Sequence, residues 1–323
     1  MTTLFSLPYE LIMSIIIFAG SKNIINIARV SRQLYEYCQK VLIKELARYS
    51  KIERIIHKYN FENVYYDSTS NEDNIINYIP SNLKKITLNF FFNESIDDLP
   101  YYIKELAFGS CFDKSVDHLP NQLNSLSFGQ AFNQPIDHLP DQLVILILHR
   151  SFDKPIDHLP ASLTDLCLGY YFDQPIYHLP ASLTNLCLGH LFDQFVDYLP
   201  ASLTHLTFGA WFNKPIDHLP NSINKLICGP SLNQPVDYLP NHIEVLSFGH
   251  NFDYPIDYLP NSVEELTMDN YYDRSPIEYD NLFCSQSTIG YFNQPIDHLP
   301  TSLTSLKLET KSENSISNQD SHT

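Results

Sequence analysis

The stretch Phe152-Asp-Lys-Pro-Ile-Asp-His-Leu-Pro-Ala-Ser-Leu-Thr-Asp-Leu-Cys-Leu-Gly-Tyr-Tyr171 decides the fold. The same phrase returns at Phe132, Phe172, Phe192, Phe212, Phe252 and Phe292, with Leu232 and Tyr272 as variants. Proline stands at 80, at 100 and at every twentieth residue to 260, then again at 300. A fixed period of twenty within one chain is the mark of a stacked array. Leu163, Leu166 and Leu168 end in the alternation of a half-buried strand. Gly169 ends that strand, and Phe172 with Asp173 opens a turn. Pro175 and Ile176 continue in extended form, and Pro180 fixes the approach to the next strand. An Asn or Asp follows the aromatic column in every unit, from Asn93 to Asn293. Its short side chain is predicted to bond backbone amides of the next coil.

A twenty-residue coil cannot shield Phe172, Ile176, Leu179, Leu183, Leu186 and Leu188 by itself. Stacked on neighbours, the same six columns form one continuous core. The fold class is therefore a repeat solenoid of about twelve 20-residue coils with one parallel strand each. The rest of each coil is too short and too rich in proline for an α-helix, so extended or 3₁₀ structure is predicted there. The unit between 263 and 303 is damaged: Asp280-Asn281 stands where Leu-Pro belongs.

Working outward, residues 1–60 lack the period, and their apolar spacing is helical. Helices are predicted from Leu7 to Gly20, near Ile24–Cys38 and near Val41–His57. The chain thus divides into a small all-α domain at 1–60, a solenoid at 61–308 and a polar, disordered tail at 309–323.

The formal charge is −17 over 323 residues. Residues 1–60 carry nine Lys/Arg against four Glu, so the rest of the chain carries all the excess acid. An acidic body repels phosphate, which argues against nucleic acid as a partner. Nine glycines leave no GxGxxG or GxxxxGKS/T loop. No apolar run reaches the ~18 residues of a membrane span. The six cysteines show no zinc spacing. With no basic leader region, a cytoplasmic setting is predicted.

The Asp-His pairs at 117–118, 137–138, 157–158, 217–218 and 297–298 stack the imidazoles in a ladder that a transition metal could use. Tyr198, Tyr238 and Tyr258 replace the histidine in other coils, which suits a covering ring better than a ligand. No cofactor and no catalytic activity are predicted. Cys167 and Cys187 read as small surface residues at equivalent strand positions. Recognition should lie where the units differ. On the concave strand face the array begins basic (Lys84, Lys85, Lys104), turns apolar at Val144, Ile145 and Ile147, and ends acidic (Glu244, Glu264, Glu265). An exposed apolar patch beside a charge gradient can mark a protein-binding face; the alternative is repeat drift under no selection. Trp211, the one tryptophan, falls at the rim beside the Phe column, where it either anchors the unknown target protein or simply packs over a neighbouring coil.

LxxLxL within a twenty-residue unit resembles a short leucine-rich repeat. The fuller phrase Phe-Asn/Asp-x-Pro-Ile-x-x-Leu-Pro-x-Ser-Leu-x-x-Leu resembles the FNIP repeat, found in slime moulds and in giant viruses of amoebae. That resemblance implies a non-catalytic repeat protein, and host-cell cytoplasm if the source is viral. Leu7, Pro8, Glu10, Leu11 and Ile15, with Val30, Ser31 and Arg32 further on, resemble an F-box. Asn23-Ile24-Ile25-Asn26 departs from that pattern before the second helix. The F-box resemblance implies that Leu7, Pro8, Leu11, Ile15 and Val30 hold a Skp1-like adaptor of a cullin ubiquitin ligase. The chain would then recruit substrates to the ligase. In the alternative, the helices only cap a plain protein-binding solenoid.

Overall fold

Each coil folds as one short strand followed by a chain of single turns, because its twenty residues alternate apolar columns with turn-forming Gly, Asp and Pro. The computed structural model describes residues 83–268 and 292–308, Ile79, and the strand segments 42–43, 47–48, 60–61 and 63–66. The strands are β1 (Leu42–Ile43), β2 (Ala47–Arg48), β3 (Asn60–Phe61), β4 (Asn63–Tyr66), β5 (Lys85–Leu88), β6 (Glu105–Ala107), β7 (Ser125–Ser127), β8 (Ile145–Ile147) and β9 (Asp165–Cys167). They continue as β10 (Asn185–Cys187), β11 (His205–Thr207), β12 (Lys225–Ile227), β13 (Val245–Phe248), β14 (Glu265–Met268) and β15 (Ser305–Leu308).

Two units divide the chain, Met1–Gly169 and Tyr170–Thr323. In the first, β2, β4 and β5 to β9 pair in parallel, and from β5 onward the register step is twenty residues, as in Leu106↔Leu126 and Leu126↔Leu146. In the second, β10 to β14 keep the same step, as in Leu186↔Leu206. The 20-residue repeats make a parallel β-solenoid of about nine turns. The predicted coil at 272–291 lies outside the described residues, and β14 pairs directly with β15 in the register Leu266↔Leu306. The ladder therefore closes across forty residues. It can do so because the side chains it needs recur on both sides: the Asn293 amide donates to Asp253 Oδ1 at 2.9 Å, and Ser302 Oγ donates to the Val263 carbonyl at 2.7 Å.

The columns are buried as the period requires. Leu163, Leu166, Leu168, Phe172, Ile176 and Leu183 are all inside, while Leu179 is half-buried. The Phe column stacks ring on ring, with centroids 6.0 Å apart for Phe112–Phe132 and 6.1 Å for Phe132–Phe152. Burying each such ring contributes roughly 1.5–3 kcal/mol, a gain that exists only when a neighbouring coil is present. Between the strands, three i→i+3 turns recur. Phe152 N–H reaches the His149 carbonyl, Leu99 N–H reaches Ile96, and Leu163 N–H reaches Pro160. These are single turns, where 3₁₀ structure was one of the predicted forms.

The Asx column bonds as the sequence predicts. Asn93 Oδ1 accepts from the Asp113 amide at 2.9 Å, Asp113 from Asn133 at 2.9 Å, and Asn133 from Asp153 at 3.0 Å. The same bond links Asp193 to Asn213 and Asn213 to Asn233. Glycine at the strand's end is required by close approach: a Cβ on Gly129 would fall 2.0 Å from the Gly109 carbonyl oxygen.

One expectation for the amino-terminal segment is corrected. Where the apolar spacing predicts a helix over 41–57, Leu42–Ile43 and Ala47–Arg48 are strands. They pair in parallel with β3 and β4, as Leu42↔Asn60 and Ala47↔Val64. This stretch is therefore not all-α. The edge of β4 offers unpaired backbone groups, and satisfying them outweighs the local helical spacing. The predicted helices at 7–20 and 24–38, the F-box positions and the tail at 309–323 lie outside the described residues.

Candidate functional site: the strand face and the turn rim

Strand alternation places the odd residues of each LxxLxL on the face opposite the core. In the first unit, Ile145 stands between Ser125 and Asp165 in register, and Ile147 between Ser127 and Cys167. Val144 and Ile145 are each 37% exposed, and Ile147 is half-buried. The structure thus brings the three together as one apolar rung among polar ones. The Val144 backbone is held on both sides: its amide donates to the Asn124 carbonyl at 2.9 Å, and its carbonyl accepts from Thr164 at 2.9 Å.

The basic start of this face is weaker than the sequence suggests. Lys85 Nζ lies 2.8 Å from Glu105 Oε2, so its charge is already matched. Lys84 Nζ lies over the Tyr102 ring, 5.4 Å from its centroid. The Tyr102 hydroxyl donates to the Ile79 carbonyl at 3.1 Å, and burial raises its pKa, which keeps it a neutral donor. In the second unit, Glu244, Glu264 and Glu265 are exposed on the equivalent face. Cys167 and Cys187 are buried, correcting the reading of them as surface residues. Bulkier neighbours cover these small side chains: Ile147 in register with Cys167, and Thr207 with Cys187.

The histidines find partners one coil back. His118 Nδ1 lies 3.3 Å from Asp97 Oδ1, His138 3.3 Å from Asp117, His158 3.4 Å from Asp137, and His218 3.6 Å from Asp197. Each imidazole is thus tied to the aspartate of the preceding coil and not to the one beside it in sequence. The Ser115 hydroxyl donates to Asp117 Oδ2 at 2.7 Å, and this bond is the first cause that lowers the Asp117 pKa. Among the described residues, no three His, Cys, Asp or Glu side chains converge as a metal site.

Trp211 belongs to the second unit. It lies on the turn after β11, not on the strand face, and is 63% exposed. Its backbone N–H donates to the His190 carbonyl at 2.9 Å, and Leu191 N–H donates to Tyr170 at 3.0 Å. Tyr171, Leu191 and Trp211 therefore occupy one column on successive coils. Beside them the Tyr170 ring lies flat on the His190 imidazole, 4.3 Å between centroids and 7° between planes. Burial lowers the His190 pKa, so that ring is neutral and acts as part of an apolar ledge. Tyr170, Tyr171 and His190 were missed as companions of Trp211. The column itself carries the signal, since it reads Tyr171, Leu191, Trp211 after Cys111, Ala131 and Ser151.

Parallel strands stacked at a twenty-residue step, with no helix in the described coils, define a leucine-rich-repeat-like solenoid. The FNIP repeat model matches residues 92–131, 112–151, 132–171, 152–191, 172–210, 192–231 and 233–271, and the chain belongs to the FNIP repeat family. Among solved structures it is similar to CroV588, a circular leucine-rich-repeat protein, with 27% identity and a TM-score of 0.60 over 85% of this chain and 48% of that one. This chain therefore spans about half the length of CroV588. It shares the fold of an internalin from Listeria monocytogenes, at 14% identity and a TM-score of 0.50 over 89% of this chain and 87% of that one. No curated protein matches it. Among the described residues, no helix is long and apolar enough to cross a membrane.

Proposed function

We propose that the protein is a non-catalytic adaptor that presents a target protein to a ubiquitin ligase from within the cytoplasm. One observation carries the binding half of this reading: the exposed Val144–Ile145 rung, with Ser125 and Asp165 as the register neighbours of Ile145. A rigid ladder holds that rung in place, so little entropy is lost when a partner covers it. The ligase half rests on the F-box-like residues Leu7, Pro8, Leu11, Ile15 and Val30, which would hold a Skp1-like protein. Function would come from raising the local concentration of target near the ligase.

A second reading, in which the amino-terminal segment only caps the array, is favoured by one feature. Ala47–Arg48 already joins the ladder through Val64. The two readings separate in a binding assay with purified Skp1-like protein. Leu7→Asp with Leu11→Asp abolishes binding if the adaptor reading holds, and absence of binding by the unaltered chain leaves the cap. Target capture is tested independently with Ile145→Asp, which should weaken it at least about tenfold without changing Skp1 binding.

A further inference from the structure

The histidine column of the first unit carries His118, His138 and His158 on three successive coils, with no tyrosine among them. Tyrosine enters the column only further on, at 198, 238 and 258. A ring that covered the coil surface would be largely buried, but these three imidazole side chains are between 72% and 74% exposed. The covering role that the tyrosines suggest therefore does not describe them. Each Nδ1 faces a carboxylate oxygen of the preceding coil, at 3.3 Å from Asp97, 3.3 Å from Asp117 and 3.4 Å from Asp137. An ionised carboxylate only accepts, so Nδ1 carries the proton of the neutral ring and the lone pair stands on Nε2. Among the described residues, Nδ1 is the only ring nitrogen of these three histidines that finds a partner.

A carboxylate on Nδ1–H is the arrangement that orients histidine ligands in metal sites and makes them more basic. Here it repeats up a ladder. The coils stack at twenty residues close to this column too, since the Asn133 amide reaches Asp113 and the Asp153 amide reaches Asn133. Successive rings are thus offset by about 4.8 Å, the strand spacing. Two nitrogens on one tetrahedral zinc lie about 3.3 Å apart, given Zn–N bonds of about 2.0–2.1 Å. Exposed rings close that gap by turning about their side-chain bonds. We propose that His118, His138 and His158 chelate a divalent transition-metal ion of the nickel, copper and zinc class between the Nε2 atoms of neighbouring coils. Imidazole suits these ions, and water completes the coordination shell, so three side chains need not converge. His218 supplies an internal contrast. Its Nδ1 lies 3.6 Å from Asp197 and its ring is just as exposed, but Tyr198 and Tyr238 stand in the coils on either side.

Calorimetric titration of the untagged full chain with nickel chloride tests this, and saturable binding is expected. His138→Tyr with His158→Tyr breaks every pair of neighbouring histidines in the column, and tyrosine is a residue the array itself places there. This double variant should raise the nickel dissociation constant at least about tenfold. His218→Tyr should leave it unchanged. An ion shared by two coils ties them together, so saturating nickel should also raise the urea midpoint of the natural chain and not that of the double variant. A natural chain that binds no nickel overturns the proposal, as does a double variant that binds it equally well. A loss as large in His218→Tyr would also overturn it, and so would a urea midpoint that nickel leaves unmoved.

Discussion

The coils at 132–151 and 292–308 are written in nearly the same phrase and meet different fates. Phe132 lies between Phe112 and Phe152 and is wholly buried, whereas Phe292 is half-buried and, among the described residues, stacks on Phe252 alone. Asn133 both gives and receives a cross-coil bond, whereas Asn293 only gives one among the described residues. Identical residues therefore differ in burial, and the difference among the described residues is a stacked coil on two sides against one. Stability in such an array is a sum over neighbour contacts, not a property of the phrase.

The largest way to break this comparison is to empty the Phe column. Phe132→Ala removes a ring packed on both sides and should cost roughly 3–5 kcal/mol in urea unfolding. Phe292→Ala should cost less than half of that, and equal losses would remove the distinction. The Asx column gives a smaller contrast. Asn133→Ala loses the acceptor for the Asp153 amide and should cost about 1 kcal/mol. Asn293→Ala keeps its own amide bonded to Asp253 and should cost close to nothing.

Smallest of these is an acid effect. Burial lowers the pKa of His149 and of His190 below the usual 6.5, so the unfolded chain binds protons there that the folded chain refuses. The stability these neutral rings contribute is complete above pH 6.5 and declines as pH falls through that value toward the folded pKa. Denaturant midpoints at pH 7.5 and 5.5 should therefore differ more for the natural chain than for His149→Gly with His190→Gln. An equal difference in both proteins would mean that these imidazoles are not what senses the acid.

Much of this was legible because every structural role recurs at one column. Asn93, Asp113 and Asn133 announce the cross-coil bond by their identity, and Gly169 announces the end of its strand. Departures from the period were less legible. Ala47↔Val64 and Val64↔Ile86 step by intervals other than twenty, so no repeat marks residues 42–48 as strands. The broken phrase near Asp280 shows a defect, but that Leu266 then meets Leu306 follows only from ladder geometry. Burial of Cys167 also depends on its rung neighbour Ile147, and a single unit does not reveal that relation. The Val144–Ile145 rung and Trp211 stood out because they break their columns, and the same test applied to Tyr171 would have found the rest of the ledge.

Engineered cysteine pairs test the twenty-residue register most directly. Ser125 and Ile145 are partners across β7 and β8, a separation that suits a disulfide. Ser125→Cys with Ile145→Cys should oxidise readily to an intramolecular bond, and Ser125→Cys with Ile147→Cys should oxidise slowly or not at all. Equal or reversed yields would mean that side chains twenty positions apart are not neighbours, and the stacked core would be contradicted.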